Sequence, residues 1–110
     1  MRVEPFQIEQ QETTNAYLLS LIGELDLSVV PQLRAVLEPV VHQTDRELIL
    51  NLKDLTYIDS TGIGIIVSVL KIRDGLKAPF SVQNIPPSIK RLFDLTGISA
   101  YLTEGTENKA

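Results

Sequence analysis

Apolar residues along this chain fall first into short alternating runs and later into longer runs of helical period, with polar turns between them. From Val3 to Gln10, Phe6 and Ile8 alternate with polar neighbours, which predicts a strand, and Pro5 places it at a sheet edge or delays its start. Gln11 to Asn15 is polar turn material. Ala16 to Ile22 (AYLLSLI) predicts a second strand that pairs with the first as a hairpin and ends at Gly23-Glu24-Leu25-Asp26. Ser28 is then placed to cap a helix with Pro31 in its first turn. Leu33, Val36, Leu37, Val40 and Val41 recur on one face of that helix, and Pro39 should kink or weaken it.

Glu47 to Leu52 (ELILNL) predicts a buried strand bounded by Asp45-Arg46 and Lys53-Asp54. A polar loop leads from it into Ile63, Ile65, Ile66, Val67, Val69, Leu70 and Ile72, a run too long for an ordinary strand and therefore a helix covered along its sides. Gly75 lies near the end of that helix, and Pro79 to Gln83 gives another short strand. Pro86-Pro87 starts a last helix through Ile89, Leu92, Phe93 and Leu95, with Gly97 at the left-handed C-terminal position. Ala100 to Thr103 adds a short terminal strand, and the polar 104–110 tail frays. The order ββαβαβα with a final strand predicts one α/β domain over residues 1–110, its core at about 3–103. Its sheet is mixed, of four to five strands with helices packed on it.

Composition narrows the function classes. At 110 residues with 44% hydrophobic and 22% charged content, the chain is one ordinary globular domain. No run approaches the ~18 apolar residues of a membrane span, and MRVEPFQIEQ has no basic-then-apolar leader, so the expected location is the cytoplasm. Cysteine is absent, which excludes disulfides and thiolate metal sites. A net charge of -4 and a pI near 4.9 argue against nucleic acid and anionic membranes as partners and leave proteins with basic patches.

The candidate chemistry gathers at Tyr57-Ile58-Asp59-Ser60-Thr61-Gly62-Ile63-Gly64, where hydroxyls and a carboxylate stand at a helix N-terminus. Asp59, Ser60 or Thr61 there can simply cap orphan N–H groups. Gly62 and Gly64 each cost roughly 0.5–1 kcal/mol relative to Ala in a first turn, and their missing side chains would let another surface or a phosphate approach closely. No Lys follows Gly64 and no third glycine completes a dinucleotide fingerprint, so a nucleotide loop is not indicated and no cofactor is expected. The single histidine, His42, ends the Pro39 helix far from Ser60, and G-x-S-x-G is missing, so a Ser-His-Asp triad with Asp26 or Asp59 is a paper construction. Glu24, Asp26, Asp54 and Asp59 could suggest a hard-cation site, but capping and solvation account for them and no metal is expected. Lys71, Arg73, Lys77, Lys90 and Arg91 read as solvated helix faces. The balance favours an interaction module over an enzyme.

Those residues carry a resemblance. Ile58 to Gly64 resembles the signature of STAS domains, in particular the bacterial anti-sigma factor antagonists of the general-stress and sporulation type. Gly23-Glu24-Leu25-Asp26 is similar to that family's G-E-[IL]-D, Ile49 to Leu55 to its central strand and loop, and Arg91 to Ile98 to its closing helix. The resemblance implies a partner-switching protein. Its unphosphorylated form binds an anti-sigma factor that is a serine/threonine kinase and so releases the sigma factor. The kinase then modifies Ser60, the serine after the signature aspartate, and a metal-dependent serine phosphatase reverses the step. Asp26, Asp59, Ser60, Thr61, Gly62 and Gly64 would form the partner-binding face. The alternative role within the family is a scaffold or regulatory subunit of a sensory complex or transporter, without a sigma factor.

Overall fold

The computed structural model describes residues 6–101. Among them five strands and three α-helices run β1 (Gln7–Glu12), β2 (Ala16–Leu25), α1 (Val30–Val41), β3 (Glu47–Asn51), β4 (Leu55–Ile58), α2 (Ser60–Gly75), β5 (Phe80–Gln83) and α3 (Pro87–Thr96). The sheet order is β1-β2-β3-β5, with β4 also paired to β2. β1 is antiparallel to β2, while β3 and β4 are parallel to β2 and β5 is parallel to β3, so the expected mixed α/β sheet with helices packed on it is what forms.

On the side away from β1, the ten-residue β2 serves two partners in succession. Ala16 to Ser20 pairs with β3, and Gly23 to Leu25 pairs with β4 after a register shift between Gly23 and Glu24. The connection between β3 and β4 is a tight turn, closed by the Leu55 N–H donating to the Leu52 carbonyl. Alternation along β2 sends Leu19, Leu21 and Leu25 inward, and Leu48 and Leu50 of β3 and Val82 of β5 join them. Leu33, Leu37 and Val41 of α1, Ile65, Ile66 and Val69 of α2, and Ile89 and Phe93 of α3 complete the same cluster. Burying a leucine or phenylalanine of this kind contributes about 1.5–3 kcal/mol.

Several local expectations are corrected. Leu55–Ile58, read as part of a loop, is a strand; its two middle residues are exposed, so it shows no alternation. β1 begins at Gln7 and continues to Glu12, through part of the expected turn, and β2 does not stop at Gly23. Val3 and Pro5 lie outside the described residues. The cap after β2 is Asp26, not Ser28: Asp26 caps a 3-10 turn at Leu27–Val29, and α1 follows directly with Pro31 in its first turn. Pro39 lies inside α1, which ends two residues later at Val41. Ala100 belongs to a 3-10 turn at Ile98–Tyr101 instead of a strand, and 102–110 lie outside the described residues. Gly97 does take the left-handed C-cap position, with φ of 84°.

The largest correction is Arg73, which is 1% exposed and not on a solvated face. Its Nη1 donates to the carbonyls of Val41 and Gln43 at 3.1 and 2.6 Å, and its Nη2 donates to those of Arg46 and Pro79 at 2.7 and 2.8 Å. Burial pushes the guanidinium below its ordinary pKa, and the negative charges of Asp45 and Glu47 oppose that shift.

Candidate functional site

β2 and β4 are parallel and end together. Leu25 stands opposite Ile58, and the Asp59 N–H donates to the Leu25 carbonyl at 3.2 Å. One residue further, Asp26 and Asp59 therefore leave neighbouring strands at the same sheet edge. Each aspartate is a cap. Asp26 Oδ1 accepts from the Ser28 N–H at 3.0 Å and from the Ser28 hydroxyl at 2.6 Å. Asp59 has extended backbone (φ -104°, ψ -176°), and its Oδ1 accepts from the Gly62 N–H at 2.9 Å. This is N-cap chemistry, worth about 1 kcal/mol at such positions.

Because Asp59 takes the cap, the hydroxyls that follow it are free of that duty. Ser60 is the first residue of α2, is exposed, and makes no side-chain hydrogen bond to the described residues. Thr61 is half-buried beside it. The backbone N–H groups of this first turn and the positive end of the helix dipole lie next to the Ser60 hydroxyl, a setting that favours negative charge.

The two glycines, expected to act alike, serve opposite sides of the helix. A Cβ on Gly62 would lie 2.7 Å from Ile58 Cγ1 and 2.8 Å from Leu25 Cγ, so Gly62 is buried and lets α2 close onto the ends of β2 and β4. Its reading as a docking residue is corrected: the surface that approaches it is internal. Gly64 is exposed and a Cβ there meets nothing within 4 Å. It lies one turn after Ser60 on the same helix face. Gly62→Ala is therefore expected to destabilise by about 1–3 kcal/mol through overpacking, whereas Gly64→Ala should stabilise by roughly 0.5–1 kcal/mol. Chemical denaturation of the two variants checks the opposed signs, and a Gly62→Ala variant as stable as wild type would contradict the close packing.

Other candidates separate from this edge. α1 leaves the site edge, and its 12 residues carry the chain about 18 Å away before His42, its exposed C-cap, so His42 is remote from Ser60. Among the described residues no group of three or more His, Cys, Asp or Glu side chains could hold a metal ion. No helix among them is long and apolar enough to cross a membrane. Arg73 escaped the sequence reading although its spacing pointed inward: Gly62, Ile65, Ile66, Val69 and Arg73 form the buried face of α2.

The edge thus presents one exposed hydroxyl on a capped helix start, with close apolar packing directly behind it. Comparison with known proteins gives this arrangement its context. The STAS domain model matches residues 7–110. An anti-sigma-B factor antagonist of Staphylococcus aureus is 34% identical over 102 residues, 91% of this chain and 94% of that protein. The crystal structure of an anti-sigma factor antagonist from Mycobacterium paratuberculosis shares the fold with a TM-score of 0.81 at 21% identity, covering 91% of this chain and 85% of that one. The anti-sigma factor antagonist SpoIIAA in its unphosphorylated form gives 0.73 at 25% identity, covering 93% and 89%. The phosphorylated form of SpoIIAA from Bacillus gives 0.69 at 25% identity, covering 93% and 92%. The chain belongs to the STAS domain family, within its branch of anti-sigma factor antagonists.

Proposed function

We propose that this chain works by partner switching. Its unphosphorylated form binds an anti-sigma factor that is a serine/threonine kinase and thereby frees the sigma factor; phosphorylation of Ser60 ends the binding, and a serine phosphatase restores it. The observation that carries this reading is the division of labour at the start of α2, where Asp59 accepts the Gly62 N–H and leaves the Ser60 hydroxyl exposed and unpaired. A kinase needs such a hydroxyl, presented on a fixed backbone with space around it. Gly64, one turn on, supplies part of that space. Family membership supports the same role, since the related SpoIIAA is described in both a phosphorylated and an unphosphorylated form.

In this reading Asp59 holds the turn, Thr61 packs beside it, and Asp26 lines the neighbouring turn on the same edge. The chain is the substrate of the phosphoryl transfer and supplies no catalytic group of its own. The test is incubation of the purified chain with ATP and its purified anti-sigma factor, followed by mapping of the label by mass spectrometry. Phosphate is expected on Ser60 and absent from Ser60→Ala. Label on Thr61 in wild type would overturn the assignment, and ATP hydrolysis by the chain alone would overturn the non-enzymatic role.

A further inference from the structure

Leu27 is 68% exposed, and among the described large apolar residues only Leu95, at 77%, is more so. It does not dangle. Asp26 Oδ1 holds the Ser28 N–H and hydroxyl, and the Asp26 carbonyl accepts from the Val29 N–H at 3.1 Å, so Leu27 is displayed on a pinned 3-10 turn. Leu27 follows Asp26 as Ser60 follows Asp59. With Leu25 and Ile58 in register and the Leu25 carbonyl bonded to the Asp59 N–H, the two residues project from adjacent turns of one edge.

Resting on the reading of Ser60 above, we propose that Leu27 is the apolar anchor of the surface through which the anti-sigma factor is bound. A partner that encloses the Ser60 hydroxyl has to cover the neighbouring turn as well. An exposed leucine there gains from burial, and because its backbone is already fixed, little ordering of the chain opposes that gain. The flanking Asp26 and Asp59 carboxylates define the rest of the complement: an apolar pocket rimmed by lysine or arginine side chains. Leu27 would thus contribute affinity and partner choice, while Ser60 switches the contact.

Leu95 provides the control. Parallel β5 delivers the chain to the site edge, and α3 runs back from it, so Leu95 near the end of α3 stands toward the opposite edge. Wild type, Leu27→Ala, Leu27→Asp and Leu95→Asp, all unphosphorylated, are titrated calorimetrically against the purified anti-sigma factor, with thermal melts and Ser60 labelling in parallel. Leu27→Ala is expected to weaken binding about tenfold and Leu27→Asp about a hundredfold. Leu95→Asp should bind as wild type, and all melts should agree. Binding of Leu27→Asp within about threefold of wild type would overturn the anchor and leave the Ser60 reading standing. Equal weakening by Leu95→Asp would also overturn it. A change from dimer to monomer in Leu27→Asp, with partner affinity kept, would assign the surface to a second copy of this chain instead. Absence of both wild-type binding and Ser60 label would remove the Ser60 reading itself, and this inference with it.

Discussion

One phosphate on Ser60 is expected to lower affinity for the anti-sigma factor by about a hundredfold or more while leaving the fold intact. The group adds about -1.5 to -2 charges and three acceptor oxygens to a chain whose net charge is already -4. It does so beside the Asp59 cap and across one strand from Asp26. Within the free domain the helix dipole offsets part of that crowding, by roughly 0.3–1 kcal/mol, and an exposed phosphate stays hydrated. In a complex it must shed water against a surface shaped for a hydroxyl, where the basic rim is already paired with the Asp26 and Asp59 carboxylates and leaves the phosphate without a partner. A loss of about 3 kcal/mol there corresponds to two decades in Kd, at ~1.4 kcal/mol per tenfold. Ser60→Ala should resist modification and stay bound. Ser60→Asp should weaken binding only in part, because a carboxylate carries less charge and fewer oxygens. Titration of the phosphorylated chain and both variants against the partner measures all three, and equal affinities for modified and unmodified chain would end the switching mechanism.

Arg73→Met should be strongly destabilising although it is remote from the site, costing about 3 kcal/mol or more. The methionine fills much of the same volume but leaves four carbonyls without their charged donor, each bond to such a donor being worth about 1.5–3 kcal/mol before the desolvation of the guanidinium is subtracted. Those carbonyls belong to the end of α1, the connection to β3 and the residue before β5. One side chain therefore fastens three segments of the edge opposite Ser60. For a domain of this size the loss corresponds to a fall in Tm of about 10–25 °C. Arg73→Lys keeps the charge but not the planar fork and should fall between the two. Where the variants remain folded, Ser60 should still be phosphorylated. A Met variant melting within a few degrees of wild type would show that water replaces the guanidinium at no cost.

Much of this was legible in the chain. Short apolar runs bounded by polar turns located β2 and β3, the i, i+3, i+4, i+7, i+8 spacing of Leu33, Val36, Leu37, Val40 and Val41 located α1, and Gly97 marked the end of α3. What failed did so for physical reasons. β4 is only four residues long and exposes its middle pair, so its inward ends, Leu55 and Ile58, carry no repeat that a reader could find. Arg73 was misread because charge was weighed above position; its place one turn after Val69 on the buried face was the better guide. Gly62 and Gly64 form one pattern in sequence, and only the distances from Leu25 and Ile58 separate them. Ser28 and Asp26 are both capping residues by type, and the choice between them depends on the backbone of a 3-10 turn that composition does not specify.

The close seating of Gly62 on Leu25 and Ile58 has a consequence for how a signal could be stored. The first turn of α2 cannot sink toward the sheet, since there is no slack behind it, and the Asp59 cap opposes its unwinding. A modified Ser60 would therefore sit on nearly the same scaffold as an unmodified one. The two states would then differ in surface potential and hardly at all in shape, so that no slow refolding separates writing the mark from reading it. Amide exchange rates across β2, β4 and α2 would be the same in both forms, and the rate of switching would be set by encounter and chemistry alone.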